Sequence, residues 1–106
     1  PEQYVRRAVS YIGNNYDRQI SVNDIARRIG VDRTCLYRAF KKDMGTSPVD
    51  FLINYRLERA VVLMDRCSMT ASAAASAVGF CDASHFSRAF KKKFGVAPGH
   101  YMRGRK

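Results

Sequence analysis

One segment of this chain is written twice. Arg38-Ala39-Phe40-Lys41-Lys42 returns as Arg88-Ala89-Phe90-Lys91-Lys92, and Gly45-x-x-Pro48 returns as Gly95-x-x-Pro98, both fifty positions on. Upstream, Ser21 matches Thr70 and Gly30 matches Gly79 at forty-nine positions. The second copy therefore carries one extra residue in its turn, among Phe80 and Cys81. Two copies are too few for a stacked solenoid, which needs about three units to bury a continuous core. A pseudo-symmetric pair of small modules remains.

Seven helical segments and no convincing strand can be read around this repeat. Val5, Ala8, Val9, Ile12 and Tyr16 form one apolar stripe at helical spacing over residues 2–16. Ser21 followed by Asp24 has the form of a capping box opening a second helix, which Gly30 ends. Asp32 caps a third helix running through Leu36, Ala39 and Phe40 to Met44. Ser47 and Pro48 suit the first turn of a long fourth helix over 48–65, with Ile53, Leu57, Ala60, Val61 and Met64 on its apolar face. Cys67-Ser68-Met69 connects to Thr70, which caps an Ala- and Ser-rich fifth helix from Ala71 to Val78. Asp82 caps the sixth, ended by Gly95, and Pro98 opens a short seventh carrying Tyr101. The Arg103-Gly104-Arg105-Lys106 tail is expected to be loose.

Each copy is thus a cap, a short helix, glycine in a tight turn, a second capped helix, and Gly-x-x-Pro. That is the sequence form of a helix-turn-helix. With 19 Lys+Arg against 9 Asp+Glu, the formal net charge is +10. A surplus of that size points to a polyanionic partner, either nucleic acid or an anionic membrane surface. Two copies, each followed by a basic stretch, favour DNA. At 106 residues the chain fits one domain, divided here into a first helix-turn-helix unit at 1–47, a linking helix at 48–65 and a second unit at 66–106.

Asp24-Ile25-Ala26, Gly30, Leu36-x-Arg38-x-Phe40-Lys41 and Gly45-x-x-Pro48 together resemble the first helix-turn-helix of AraC-type (AraC/XylS) regulators. Val78-Gly79-Phe80, Ser84-x-Phe86-Ser87-Arg88-x-Phe90-Lys91-Lys92 and Phe94-Gly95-x-x-Pro98-x-x-Tyr101 resemble that family's signature, and Arg56-Leu57-x-x-Ala60 also matches. The resemblance covers essentially the whole chain. It implies an all-α fold of two homeodomain-like helix-turn-helix subdomains joined by a long central helix. It further implies the C-terminal DNA-binding domain of a bacterial transcription regulator that activates through RNA polymerase, with a sensing or dimerising N-terminal domain elsewhere. One departure stands out: Ala74-Ala75 occupies a place where the family has a bulky aliphatic, so the second unit is expected to pack less firmly.

In a helix-turn-helix the second helix enters the major groove and its N-terminal half reaches base edges. The outward positions are Arg33, Thr34, Tyr37 and Arg38 in the first unit, and Ala83, Ser84, His85, Ser87 and Arg88 in the second. The resemblance carries these, apart from Arg33 and Ala83, onto base- or backbone-contacting positions. Arginine can hold guanine O6 and N7 in two parallel bonds, and Ala83 can touch at most a thymine methyl. Arg38 and Arg88 are constant in the repeat, which suits a shared backbone role as well as base reading. Arg33 and His85 vary, which suits specificity. Arg28, Lys41, Lys92 and His100 are candidate phosphate contacts that position without specifying, as are Lys42 and Lys91. Arg56 could contact phosphate or form a salt bridge within the domain.

The linking helix, about eighteen residues at 1.5 Å each, is roughly 27 Å long. Successive major-groove segments on one face of B-DNA lie about 34 Å apart, so either the DNA bends or only one recognition helix inserts fully. The longest apolar run, Ala60 to Met64, is far too short to span a membrane, and Arg6 and Arg7 precede no apolar stretch of the kind a signal peptide needs. Pro1 in place of Met suggests a piece of a longer protein. Cys35, Cys67 and Cys81 lack metal-ligand spacing, so no metal or other cofactor is expected, and free thiols fit the bacterial cytoplasm. Cys35 reads as a small packing residue. No nucleophile–base spacing suggests an enzyme. The domain is expected to be monomeric alone, the whole protein dimeric through its N-terminal part. The competing reading is a non-specific cationic module for nucleic acid or an anionic membrane surface.

Overall fold

A computed structural model describes the backbone of residues 2–103 and the side chains of residues 3–102. The expected loose tail, from the Arg103 side chain onward, lies outside the described residues. Seven helices follow in order: α1 (Glu2–Asn15), α2 (Val22–Ile29), α3 (Arg33–Met44), α4 (Pro48–Arg66), α5 (Ala71–Ala77), α6 (Ala83–Phe94) and α7 (Pro98–Arg103). No strand occurs among the described residues. The chain divides into two compact units within α4, Pro1–Leu52 and Ile53–Lys106. The boundary lies inside this helix, whose first residues group with the first unit and the remainder with the second.

In the first unit α1 packs on both α2 and α3. Its buried face is Val5, Ala8 and Ile12, and the Asn15 amide donates to the Tyr11 carbonyl at 2.9 Å, closing the helix before Tyr16. At the start of α2, the Ser21 hydroxyl accepts from Asp24 N–H at 3.1 Å while the Asp24 carboxylate accepts from Ser21 N–H at 2.9 Å. This reciprocal pair satisfies two donors that a helix start leaves open. The helix ends on Gly30 at φ +83°, with the Gly30 and Val31 amides both donating to the Ala26 carbonyl. Asp32 then accepts from Cys35 N–H at 2.7 Å and opens α3. Ile25, Ala26, Leu36, Ala39, Phe40 and Leu52 complete the core, where Phe40 meets Phe51 edge-to-face at 5.7 Å.

The second unit repeats the wiring. Thr70 accepts from Ala73 N–H at 3.1 Å. Val78 forms the C-cap, so α5 stops one residue earlier than its sequence suggests. Gly79 takes φ +102° and the Phe80 amide reaches back to the Ala75 carbonyl at 3.0 Å. Asp82 caps α6 by accepting from Ser84 N–H at 2.8 Å. Between glycine and capping aspartate the first turn holds Val31 alone, the second Phe80 and Cys81.

The second core is filled differently from the first. Ala74 is fully buried at the place of Ile25, and Ile to Ala removes three carbons, worth about 2.4 kcal/mol at roughly 0.8 per methylene. Phe86, however, replaces Leu36, and Phe80 replaces Val31; both phenylalanines are buried. Phe80 lies edge-on to Phe86 at 5.2 Å, and Phe86 leads on to Phe90 at 5.6 Å. Aromatic volume from α6 and the turn thus offsets the alanines of α5. This exchange lies in the unit where looser packing was anticipated from Ala74-Ala75.

Candidate nucleic-acid interface

Helical periodicity divides α3 into two faces. Leu36, Ala39 and Phe40 are buried, while Arg33, Thr34, Tyr37 and Arg38 are all exposed. The exposed four border a concavity of about 590 Å³ that Val22 and Val49 help to wall. Val49 is 47% exposed and Tyr37 50%, so the concavity combines two guanidinium groups with apolar surface. Such a mixture matches the edge of a base pair, where acceptors and a thymine methyl lie side by side. Sequence reasoning missed Val49, because a valine four residues before Ile53 reads as another core position.

The same division holds for α6. Phe86 and Phe90 are buried, and Ala83, Ser84, His85, Ser87 and Arg88 are exposed. The His85 ring meets Phe80 edge-on at 5.3 Å. The imidazole is thereby set against the aromatic turn residue that stands where the first unit has Val31.

The candidate phosphate contacts separate into three groups. Lys41, Lys92 and His100 are exposed; Lys41 and Lys42 lie in the last turn of α3, and Lys91, Lys92 and Lys93 in that of α6, where cations also complement the helix dipole. Lys93 pairs with Glu58 at 3.4 Å. Arg28 is exposed but turned across α1, its guanidinium carbon 5.9 Å from the centre of the Tyr11 ring. Arg56 was expected either on a phosphate or in a salt bridge within the domain. It is only 9% exposed, with its guanidinium over the Phe80 ring at 6.0 Å. That burial favours a partner within the second unit over a phosphate.

Among the described residues no group of three or more His, Cys, Asp and Glu is arranged to hold a metal ion. No helix among them is long and apolar enough to cross a membrane.

Two equivalent capped helices, each with a buried aromatic face and a polar, basic outer face, define a DNA-binding domain of the helix-turn-helix class. A family described as "Helix-turn-helix domain" matches residues 25–104. The structure of a transcriptional regulator from Chromobacterium violaceum, described as an AraC-type DNA-binding domain-containing protein, superimposes with a TM-score of 0.87 at 32% identity, covering 98% of this chain and 93% of that one. The C-terminal domain of AraT, a response regulator from Geobacillus stearothermophilus, gives a TM-score of 0.90 at 32% identity, covering 96% of this chain and 85% of that one. The lactose operon transcription activator of Staphylococcus xylosus is 34% identical over 97 residues, which are 92% of this chain and 35% of the relative. The chain spans about a third of the length of such curated relatives. It belongs to the AraC-type helix-turn-helix family, whose members bind DNA as transcription regulators.

Proposed function

We propose that this domain reads a promoter duplex through α3 and α6 and serves a bacterial transcription activator. The observation that carries this reading is the exposure of all nine outward candidates on two helices whose inner faces are sealed. Arg33 and His85 discriminate between bases. Thr34, Tyr37, Arg38, Ser84, Ser87 and Arg88 share base and backbone contacts, and Ala83 allows close approach to a thymine methyl. Lys41, Lys92 and His100 hold phosphates. The domain acts as a monomer without cofactor and performs no catalysis. The activating role is supported by the relative named as a lactose operon transcription activator, and it would be exercised on RNA polymerase in the bacterial cytoplasm. A sensing or dimerising domain would belong to the larger part of the protein.

Selection of bound duplexes from a random pool tests this. The wild-type domain is expected to enrich one motif, and Arg33→Ala and His85→Ala should each degrade it at separate positions. An unchanged motif would remove these two residues from the specificity assignment. No enrichment at all would favour a non-specific cationic module, whose binding is sequence-blind and steeply salt-dependent.

A further inference from the structure

The first unit carries a second concavity, about 610 Å³, between α1 and the end of α2. Arg6, Arg7, Tyr11 and Asn14 line it from α1, and Arg28 and Ile29 from α2. It shares no lining residue with the concavity beside α3. Nor does it lie on the same face. The apolar side of α1 packs toward Leu36, Ala39 and Phe40 of α3, opposite Arg33, Tyr37 and Arg38.

Three arginines meet here, and among the described residues no carboxylate lines the groove. The nearest acid on α2, Asp24, is already taken up by Arg27 at 2.6 Å and by the Ser21 amide. Concave clustering of one charge sign focuses the field and raises the local concentration of an opposite partner. The geometry points to a docking site for an acidic segment of a partner protein, a reading that rests on α3 and α6 being the DNA-binding elements. A protein segment fits better than a nucleic-acid backbone for a chemical reason. Phosphodiesters need only donors and cations, whereas this groove adds an aromatic ring, the Ile29 side chain and a carboxamide that both donates and accepts. An alternating acidic and apolar peptide uses all of these: carboxylates pair with guanidinium forks, apolar side chains cover Tyr11 and Ile29, and the Asn14 amide meets peptide backbone.

The test is an NMR titration of the isotope-labelled chain, bound to its selected duplex, with a capped Glu-Phe-Glu-Leu-Asp-Phe hexapeptide. Shift changes confined to Arg6, Arg7, Tyr11, Asn14 and Arg28 are expected. Arg6→Gln with Arg7→Gln should weaken the peptide roughly tenfold and leave DNA affinity within about twofold. An unchanged melting temperature shows that the variant is folded, and the duplex-binding arm reports separately on the DNA reading. Three results would overturn the proposal: no binding at roughly 1 mM peptide, displacement of the DNA, or a loss of about 0.9 per arginine from the salt slope of DNA binding. The last would make the groove a backbone clamp.

Discussion

The Arg56 guanidinium lies over the ring of Phe80, 6.0 Å from its centre, inside the second unit. Arg56→Ala is therefore expected to destabilise the domain by about 1–3 kcal/mol, through lost stem packing and lost cation–ring attraction. Denaturant titration measures this. The slope of DNA affinity against salt should stay unchanged, and a fall of about 0.9 at constant stability would restore Arg56 to the phosphate contacts.

The exchange of aliphatic for aromatic volume in the second core makes Ala74 sensitive to enlargement. Ala74→Ile should cost about 1–3 kcal/mol by overpacking the second core. Adding Phe86→Leu should recover part of that loss, with a coupling of roughly 0.5–3 kcal/mol in the double-mutant cycle. Strict additivity would mean that the two sites do not share volume.

Lys41→Ala and Lys92→Ala should weaken binding to every duplex alike, each reducing the salt slope by about 0.9. A loss restricted to one sequence would instead make either lysine a base reader.

Backbone handedness sets a third pair of outcomes. Gly30 has φ +83° with nothing within 4 Å of an added Cβ, so Gly30→Ala should cost only the left-handed penalty, about 1–2 kcal/mol. Ser68 already bears that conformation with a side chain, at φ +54°, and Ser68→Gly should raise stability by about 1 kcal/mol. Thermal unfolding of the two variants should move in opposite directions.

At the start of α2, the Ser21 backbone amide and hydroxyl, with Arg27 beside them, hold the Asp24 carboxyl below its ordinary value. A carboxylate lowered on folding stabilises above its unfolded pKa, about 3.9, and that contribution disappears as pH falls through the lowered folded value. Carboxyl NMR should find Asp24 titrating below the usual range, and Asp24→Asn should abolish the acid-dependent exposure of the Ser21 amide.

Backbone devices were the most legible part of this molecule. Ser21, Asp32, Thr70 and Asp82 announce helix starts because their short side chains must meet nearby amides, and Gly30, Gly45 and Gly95 announce ends because few other residues turn left-handed. Side-chain fates that depend on distant neighbours were not legible. Arg56 is an ordinary surface residue until Phe80 is brought over it by the turn. Leu52 falls outside the stripe read for α4 because it serves the other core. Arg6 and Arg7 carried no site signal in the sequence, since their meeting with Arg28 needs α1 and α2 side by side.

The outward residues of α3 and α6 take almost no part in folding: caps, glycines and cores lie elsewhere, and His85 alone leans on a structural ring. Substitutions at those positions can therefore retarget the domain while it stays folded at every step. Drift from one promoter to another can proceed one side chain at a time, and the regulatory network around such a protein can be rewired without passing through dead intermediates.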